Sequence, residues 1–204
     1  MKTQRLSVRR RPRSRHSPAS RHSRSVVVPN ERPVLCLESL EARALLAYEP
    51  TAAETLLTYL VNETRRAPEA AATRLSVGLL SEQRGPFAPV VIDESLLRAA
   101  RLHSQDMLAN NYMSHYSQDG RSPWDRALAA GYTSQNVGEN VYSAFSSGPF
   151  QDTPEKFVTD MNDGWFKSSG HRANMLGASW TQFGGGVAIR LSPTGATRGT
   201  ELFG

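Results

Sequence analysis

Trp165-Phe166-Lys167-Ser168-Ser169-Gly170-His171-Arg172-Ala173-Asn174-Met175-Leu176 joins the end of one predicted helix to the start of another, with a histidine at the junction. The helix before it opens at Thr153-Pro154-Glu155 and carries Phe157, Val158, Met161 and Trp165 on one side, the spacing of an inward apolar stripe. Upstream, Val137 to Phe145 reads as a strand region interrupted by an acid, Glu139, between apolar neighbours in Val-Gly-Glu-Asn-Val. Ser122-Pro123-Trp124-Asp125 is a helix start, with a Ser cap, Pro at the first position and an acid at the third. That helix should stop at Gly131, a residue suited to a left-handed cap. His115 lies before it, in the loop-forming run Asn-Tyr-Met-Ser-His-Tyr-Ser-Gln-Asp-Gly. Earlier still, Asp93 caps a predicted helix to about Asn110, whose inner stripe is Leu96, Ala100, His103 and Met107. Thr55 to Arg66 is the first predicted helix, and Phe183 to Leu191 the last predicted strand.

Charge divides the chain in two. Its 204 residues hold 24 Lys or Arg and 19 Asp or Glu, a net of +5. Residues 1–30 contain nine basic residues and no acidic one, whereas residues 48–204 contain 13 basic and 16 acidic, a net of −3. The high isoelectric point therefore belongs to the tail, and nucleic acid is not the expected partner of the body. The body is long enough for one domain with a real core. With a single cysteine, Cys36, an intrachain disulfide is impossible. No apolar run approaches the ~18–20 residues of a membrane helix.

Residues 1–34 are Arg, Ser, Pro and His with little to bury, the composition of a disordered basic tail. Residues 35–51 hold a short amphipathic segment and a linker, and residues 52–204 form the expected domain. The segment Leu37-Glu38-Ser39-Leu40-Glu41-Ala42-Arg43-Ala44-Leu45-Leu46 resembles the Leu-Glu-x-Leu-Glu-x-Arg-x-Leu-Leu motif near the N-terminus of many exported bacterial proteins. The resemblance implies a secreted or cell-envelope location. A basic tail could instead bind an acidic polymer or membrane, with an affinity that falls steeply in salt. Removal of residues 1–47 as an export or processing segment is the simpler expectation.

Three polar groups in the body can carry chemistry: His115, Glu139 and His171. Two imidazoles and a carboxylate in a cleft could hold a divalent ion with open positions, or act as acid, base and electrostatic partner. Each alone is equally compatible with a structural role. His103 faces the domain interior, as a core histidine or as a support for the cleft. Asn140 is expected to satisfy backbone groups around Glu139, and Arg172 either to be solvated or to orient His171 or an anionic ligand. Trp124, Trp165 and Trp180 read as core or cleft-wall aromatics.

Five ordered blocks resemble the bacterial branch of the CAP superfamily, which also holds cysteine-rich secretory, antigen 5 and pathogenesis-related proteins. They are His-Ser-x-Asp-Met (103–107), Ser-His-Tyr-Ser-x-Asp-Gly (114–120), Gly-Glu-Asn-Val (138–141), Trp-x-x-Ser-x-Gly-His-Arg-x-Asn-Met-Leu (165–176) and Phe-Gly-x-Gly-Val-Ala (183–188). The resemblance implies an α+β fold, a three-layer α–β–α sandwich, and places His115, Glu139 and His171 in the family's central cavity. The eukaryotic branch has a further glutamate where this chain has Ser168, and its paired cysteines are absent here. Both departures weaken any transfer of eukaryotic properties such as sterol binding.

The expected function is therefore ligand binding in a His/Glu cleft by a secreted or envelope protein. The cleft residues are His115, Glu139, His171, Asn140 and His103, and the ligand is a lipid, glycan fragment or peptide. Zn²⁺ or another divalent metal on His115 and His171 is the one cofactor implied. The competing expectation is a hydrolase using Glu139 and the cavity histidines. It lacks a recognisable nucleophile: no Gly-x-Ser-x-Gly elbow exists, and Ser117 or Ser169 has no supporting spacing.

Overall fold

The computed structural model describes residues 49–149 and 152–204. The basic tail, the export-like segment and Cys36 lie outside the described residues. Helix α1 (Ala52–Arg66) is followed by α2 (Pro68–Leu75), a single 3₁₀ turn (Ser81–Gln83) and the two-residue strand β1 (Val91–Ile92). Then come α3 (Glu94–Ala109), α4 (Pro123–Ala130), β2 (Gly138–Phe145), α5 (Pro154–Lys167), α6 (Ser169–Met175), β3 (Gln182–Arg190) and β4 (Ala196–Phe203).

Local chemistry sets most helix starts. Thr51 and Glu54 form a reciprocal capping box at α1, and Ser122 and Asp125 form another at α4. The Asp93 carboxylate accepts from the Ser95 and Leu96 amides, each at 2.9 Å. Gly131 ends α4 at φ 108°, the left-handed conformation its missing side chain permits.

The four strands form one sheet in the order β1-β3-β4-β2. β1 runs parallel to β3, while β3–β4 and β4–β2 are antiparallel. Helices α3 and α4 cover one face, and α1, α5 and α6 the other. The run Gly184-Gly185-Gly186 shows how closely the layers meet. A Cβ on Gly184 or Gly186 would fall into the α3 backbone at Leu96 and Ala100, whereas one on Gly185 would point oppositely, to 2.9 Å from the Leu57 side chain of α1. The period of two sends alternate residues to opposite faces, so α3 rests directly on the backbone of β3.

The core is correspondingly unequal. Leu57, Val61, Val158, Met161, Trp165, Phe166, Phe183 and Phe203 fill the thick side beneath α1 and α5. Leu96, Ala99, Ala100, Ala127, Tyr132 and Leu202 fill the thin side beneath α3 and α4. Truncating a fully buried residue such as Leu57 to Ala would cost about 2–5 kcal/mol.

Besides the short β1 and the 3₁₀ turn, two longer elements go beyond the sequence reading. α2 follows α1 after a break at Ala67, where the single periodic helix was expected to end. β4 is buried over all eight residues although it reads Ala-Thr-Arg-Gly-Thr-Glu-Leu-Phe. A central strand covered on both faces need not alternate. Its polar groups find distant partners: Ser104 Oγ donates to Thr200 Oγ1 at 2.9 Å, and Arg198 Nε donates to the Tyr112 carbonyl at 3.0 Å.

Candidate functional site

β2 is an edge strand, and its pleat divides two neighbouring polar residues between the helical layers. Glu139 pairs in register with Leu202, on the α3–α4 side, and Asn140 with Glu201, on the α5–α6 side. A site at this edge can therefore draw side chains from both layers.

On the first side, His115 Nδ1 lies 2.8 Å from Glu139 Oε1. The other carboxylate oxygen, Oε2, accepts from Arg126 Nη2. Arg126 stands in the first turn of α4, so the Ser122–Asp125 cap that fixes the start of this helix also aims the guanidinium. Its Nη1 donates to the His115 carbonyl at 2.9 Å, the Arg121 carbonyl at 3.0 Å and Ser117 Oγ at 3.2 Å, which ties the loop carrying His115 to the helix. The side chains of Arg126 and Glu139 are only 5% and 2% exposed, whereas that of His115 is 49% exposed. A buried ion pair thus ends in an imidazole open to solvent.

The hydrogen bond to Glu139 raises the His115 pKa above its ordinary value, with burial and the Arg126 charge opposing it. A carboxylate can only accept, so Nδ1 carries the hydrogen and the neutral ring presents a bare Nε2.

On the second side, Asn140 Nδ2 donates to the His171 carbonyl at 3.1 Å and to Glu201 Oε2 at 3.0 Å. Asn174 Nδ2 donates to the Glu139 carbonyl at 3.1 Å and to Asn140 Oδ1 at 3.0 Å. These bonds clamp α6, whose third residue is His171, to the edge strand. The His171 ring is pushed below its ordinary pKa, first by burial and then by the charge of His115. Glu201 is fully buried behind Asn140, and burial pushes its carboxyl up to about 8.

The remaining expected residues divide. Asn140 serves both the α6 backbone and a carboxyl. His103 is buried with Nε2 2.9 Å from the Ser114 carbonyl, which ties it to the loop next to His115. Arg172 is neither solvated nor turned to a ligand: it is buried and donates to Gln83 Oε1 and to the Phe166 and Lys167 carbonyls. Ser168 caps the junction between α5 and α6. Trp165 is a core residue bonded to the Val141 carbonyl, and Trp180 Nε1 donates to the Asn174 carbonyl. Arg126, Asn174 and Glu201 hold the site together and were not singled out from the sequence. Asn174 at least lies inside the quoted His171 block.

Among the described residues no three His, Cys, Asp or Glu side chains gather as a metal cage. Glu139 has both oxygens engaged, which fits an orienting role for His115 and not a third ligand. The donors present fit at most an open site of two imidazoles.

The family model for CAP, the cysteine-rich secretory protein family, matches residues 58–190. The chain belongs to the CAP family. This CAP domain is similar to the "Uncharacterized protein YkwD" of Bacillus subtilis strain 168, at 36% identity over 104 residues, 51% of this chain and 37% of that protein. It is also similar to the "Uncharacterized membrane protein YlbC" of the same organism, at 34% identity over 95 residues, 47% of this chain and 25% of that protein. The matches thus span well under half the length of either relative. Among solved structures, an outer surface protein from Borrelia burgdorferi shares the fold at 16% identity and a TM-score of 0.50, covering 74% of this chain and 90% of that one. An extracellular protein containing an SCP domain from Bacillus anthracis str. Ames is 23% identical with a TM-score of 0.48, covering 74% and 40%. The three-layer α+β sandwich is the CAP fold. Among the described residues no helix is long and apolar enough to cross a membrane.

Proposed function

We propose that this CAP domain acts outside the cytoplasm, secreted or at the cell envelope, as a binding module whose β2-edge cleft takes a lipid headgroup, a glycan fragment or a peptide. The observation that carries the reading is the buried Arg126–Glu139 pair ending in the half-exposed His115 ring. Such an arrangement holds one imidazole in one tautomer at an open surface, and this is how a site presents fixed polar contacts to a ligand. The export-like segment at residues 37–46 supports the location.

Binding is favoured over hydrolysis by what the side chains are already doing. Both Glu139 oxygens already accept hydrogen bonds, one of them from a buried guanidinium, which makes the carboxylate a poor base toward water. Ser117 is buried and bonded to Arg126, and neither it nor Ser169 hydrogen-bonds to an imidazole among the described residues. One observation does favour a hydrolase as second reading: a histidine oriented by a carboxylate at 2.8 Å is a competent general base, and the base would then be His115 rather than Glu139.

A ligand-observed NMR screen of phospholipid headgroups, peptidoglycan fragments and short peptides, run on the full chain and on His115→Ala and His171→Ala, tests the proposal. At least one class should bind the wild type and weaken about tenfold or more in His115→Ala, the loss of one good hydrogen bond. Binding unchanged in both variants would overturn it. Turnover of a generic ester or peptide that vanishes in Glu139→Gln would establish the hydrolase instead.

A further inference from the structure

Between α3 and α4 runs a groove with a concavity of about 330 Å³. Ala99 and Leu102 of α3 and Ala129 and Ala130 of α4 give it an apolar wall. Leu102 stands 56% exposed on that wall, and Ala129 is exposed across from it. Arg98, Arg121 and Asp106 also line the groove and give it two positive charges and one negative. The guanidinium of Arg126, at its inner end, is already paired with Glu139.

The chain enters the described domain on a neighbouring surface of the same helix. The Arg101 guanidinium donates to the Glu49 carbonyl at 2.9 Å and to the Glu54 carboxylate at 2.7 and 2.8 Å, which fixes residue 49 against α3. Arg101 lies three residues after Arg98, and residues at that spacing are neighbours on a helix surface. A helix is ~10–12 Å across and an extended residue reaches ~3.3–3.6 Å, so about three or four residues cross it. Counted back from Glu49, those residues bring Leu46 and Leu45 within reach of the groove. The charges of the same stretch are complementary. Glu38, Glu41 and Arg43 carry two negative charges and one positive, the inverse of Arg98, Arg121 and Asp106. A short tether also sets an effective concentration in the millimolar range, so a contact with a Kd of about 1 mM between separate molecules is about half occupied within one chain.

We propose that the groove between α3 and α4 is the docking site of this chain's own residues 38–46, which lie outside the described residues. Leu45 and Leu46 pack against Leu102 and the alanines, and Glu38 and Glu41 lie towards Arg98 and Arg121. The groove adjoins Arg126, whose bonds to the His115 carbonyl, the Arg121 carbonyl and Ser117 Oγ hold the loop that carries His115. The docked segment therefore covers the back of that support, and its removal as an export or processing segment uncovers the face.

A nitroxide spin label on the full chain tests this. With Cys36→Ser and Ser39→Cys, the chain keeps a single thiol for the label, inside the segment. The label should broaden the amide signals of Leu102, Asp106 and Ala129 and spare those of α5 in the opposite layer, at any protein concentration. Replacing both leucines, Leu45→Asp with Leu46→Asp, should abolish the broadening. Ala129→Phe, at an exposed position on the groove wall, should do the same while the backbone spectrum keeps its dispersion. Absent or uniform broadening, or broadening that survives both sets of substitutions, would overturn the proposal. Broadening of the groove signals in a ¹⁵N chain without the label, mixed with spin-labelled chain, would assign the groove to a second copy and overturn it as well.

Discussion

Replacing Arg126 by Met keeps an apolar stem of similar reach and removes the guanidinium. Four bonds go with it: to Glu139 Oε2, the His115 and Arg121 carbonyls and Ser117 Oγ. Water can replace the partner of the Arg121 carbonyl near the surface, but it reaches Glu139 poorly, since that side chain is 2% exposed. A buried charge stripped of its partner costs about 3–5 kcal/mol, whereas an exposed pair would cost at most about 1. We therefore expect Arg126→Met to lose about 3–5 kcal/mol, a large share of the ~5–15 kcal/mol of a typical domain. Urea titration followed by fluorescence, with the slope checked for two-state behaviour, measures it. Adding Glu139→Gln to the variant removes the stranded charge, so the double variant should be less destabilised than the two single losses summed, by about 0.5–3 kcal/mol. A loss below about 1 kcal/mol in Arg126→Met would show that Glu139 is solvated and the buried-pair argument wrong.

Three further outcomes are expected. Gly186→Ala should destabilise by about 1–3 kcal/mol or more, because its Cβ would meet the α3 backbone at Ala100; an unchanged urea midpoint would mean that α3 stands off the sheet. Glu201 has a folded pKa of about 8 against an ordinary 4.5, so its favourable contribution is complete below the unfolded value and is lost as pH rises through the folded one. Glu201→Gln should thus gain at least about 1 kcal/mol relative to wild type at about pH 8 over its value at about pH 5, and parallel pH profiles would refute this. Zinc should bind at micromolar affinity or more weakly, be lost in His115→Ala or His171→Ala without unfolding, and weaken on acidification as the raised His115 pKa is crossed; calorimetry showing unchanged affinity in both variants would remove the two-imidazole site.

The helices were legible because their boundaries are local. Asp93, Ser122 and Thr153 bond amides only two or three residues away, and Pro123 and Pro154 stand where a first turn tolerates them. β3 was legible despite poor alternation; its glycines mark the contact with α3, which no pattern within the strand can reveal. β4 was not legible, since Thr197, Arg198, Thr200 and Glu201 are buried by partners distant in sequence. The site shows the same division. His115, Glu139 and His171 stood out as chemistry-bearing types within motif blocks. Arg126 did not, because an arginine in the first turn of a helix is ordinarily solvated, and only the fold brings Glu139 beneath it. Arg172 was misjudged for the same reason.

Glu139, braced by Arg126, fixes His115 so that a bare Nε2 remains on a half-exposed ring. Long-range ¹H–¹⁵N spectra of the imidazoles across a pH titration read this directly, in the wild type and in Glu139→Gln. The account expects neutral His115 to carry its hydrogen on Nδ1, with a pKa above the ordinary 6.5 that falls when Glu139 loses its charge. A neutral His115 protonated on Nε2, or a pKa indifferent to Glu139→Gln, would contradict it.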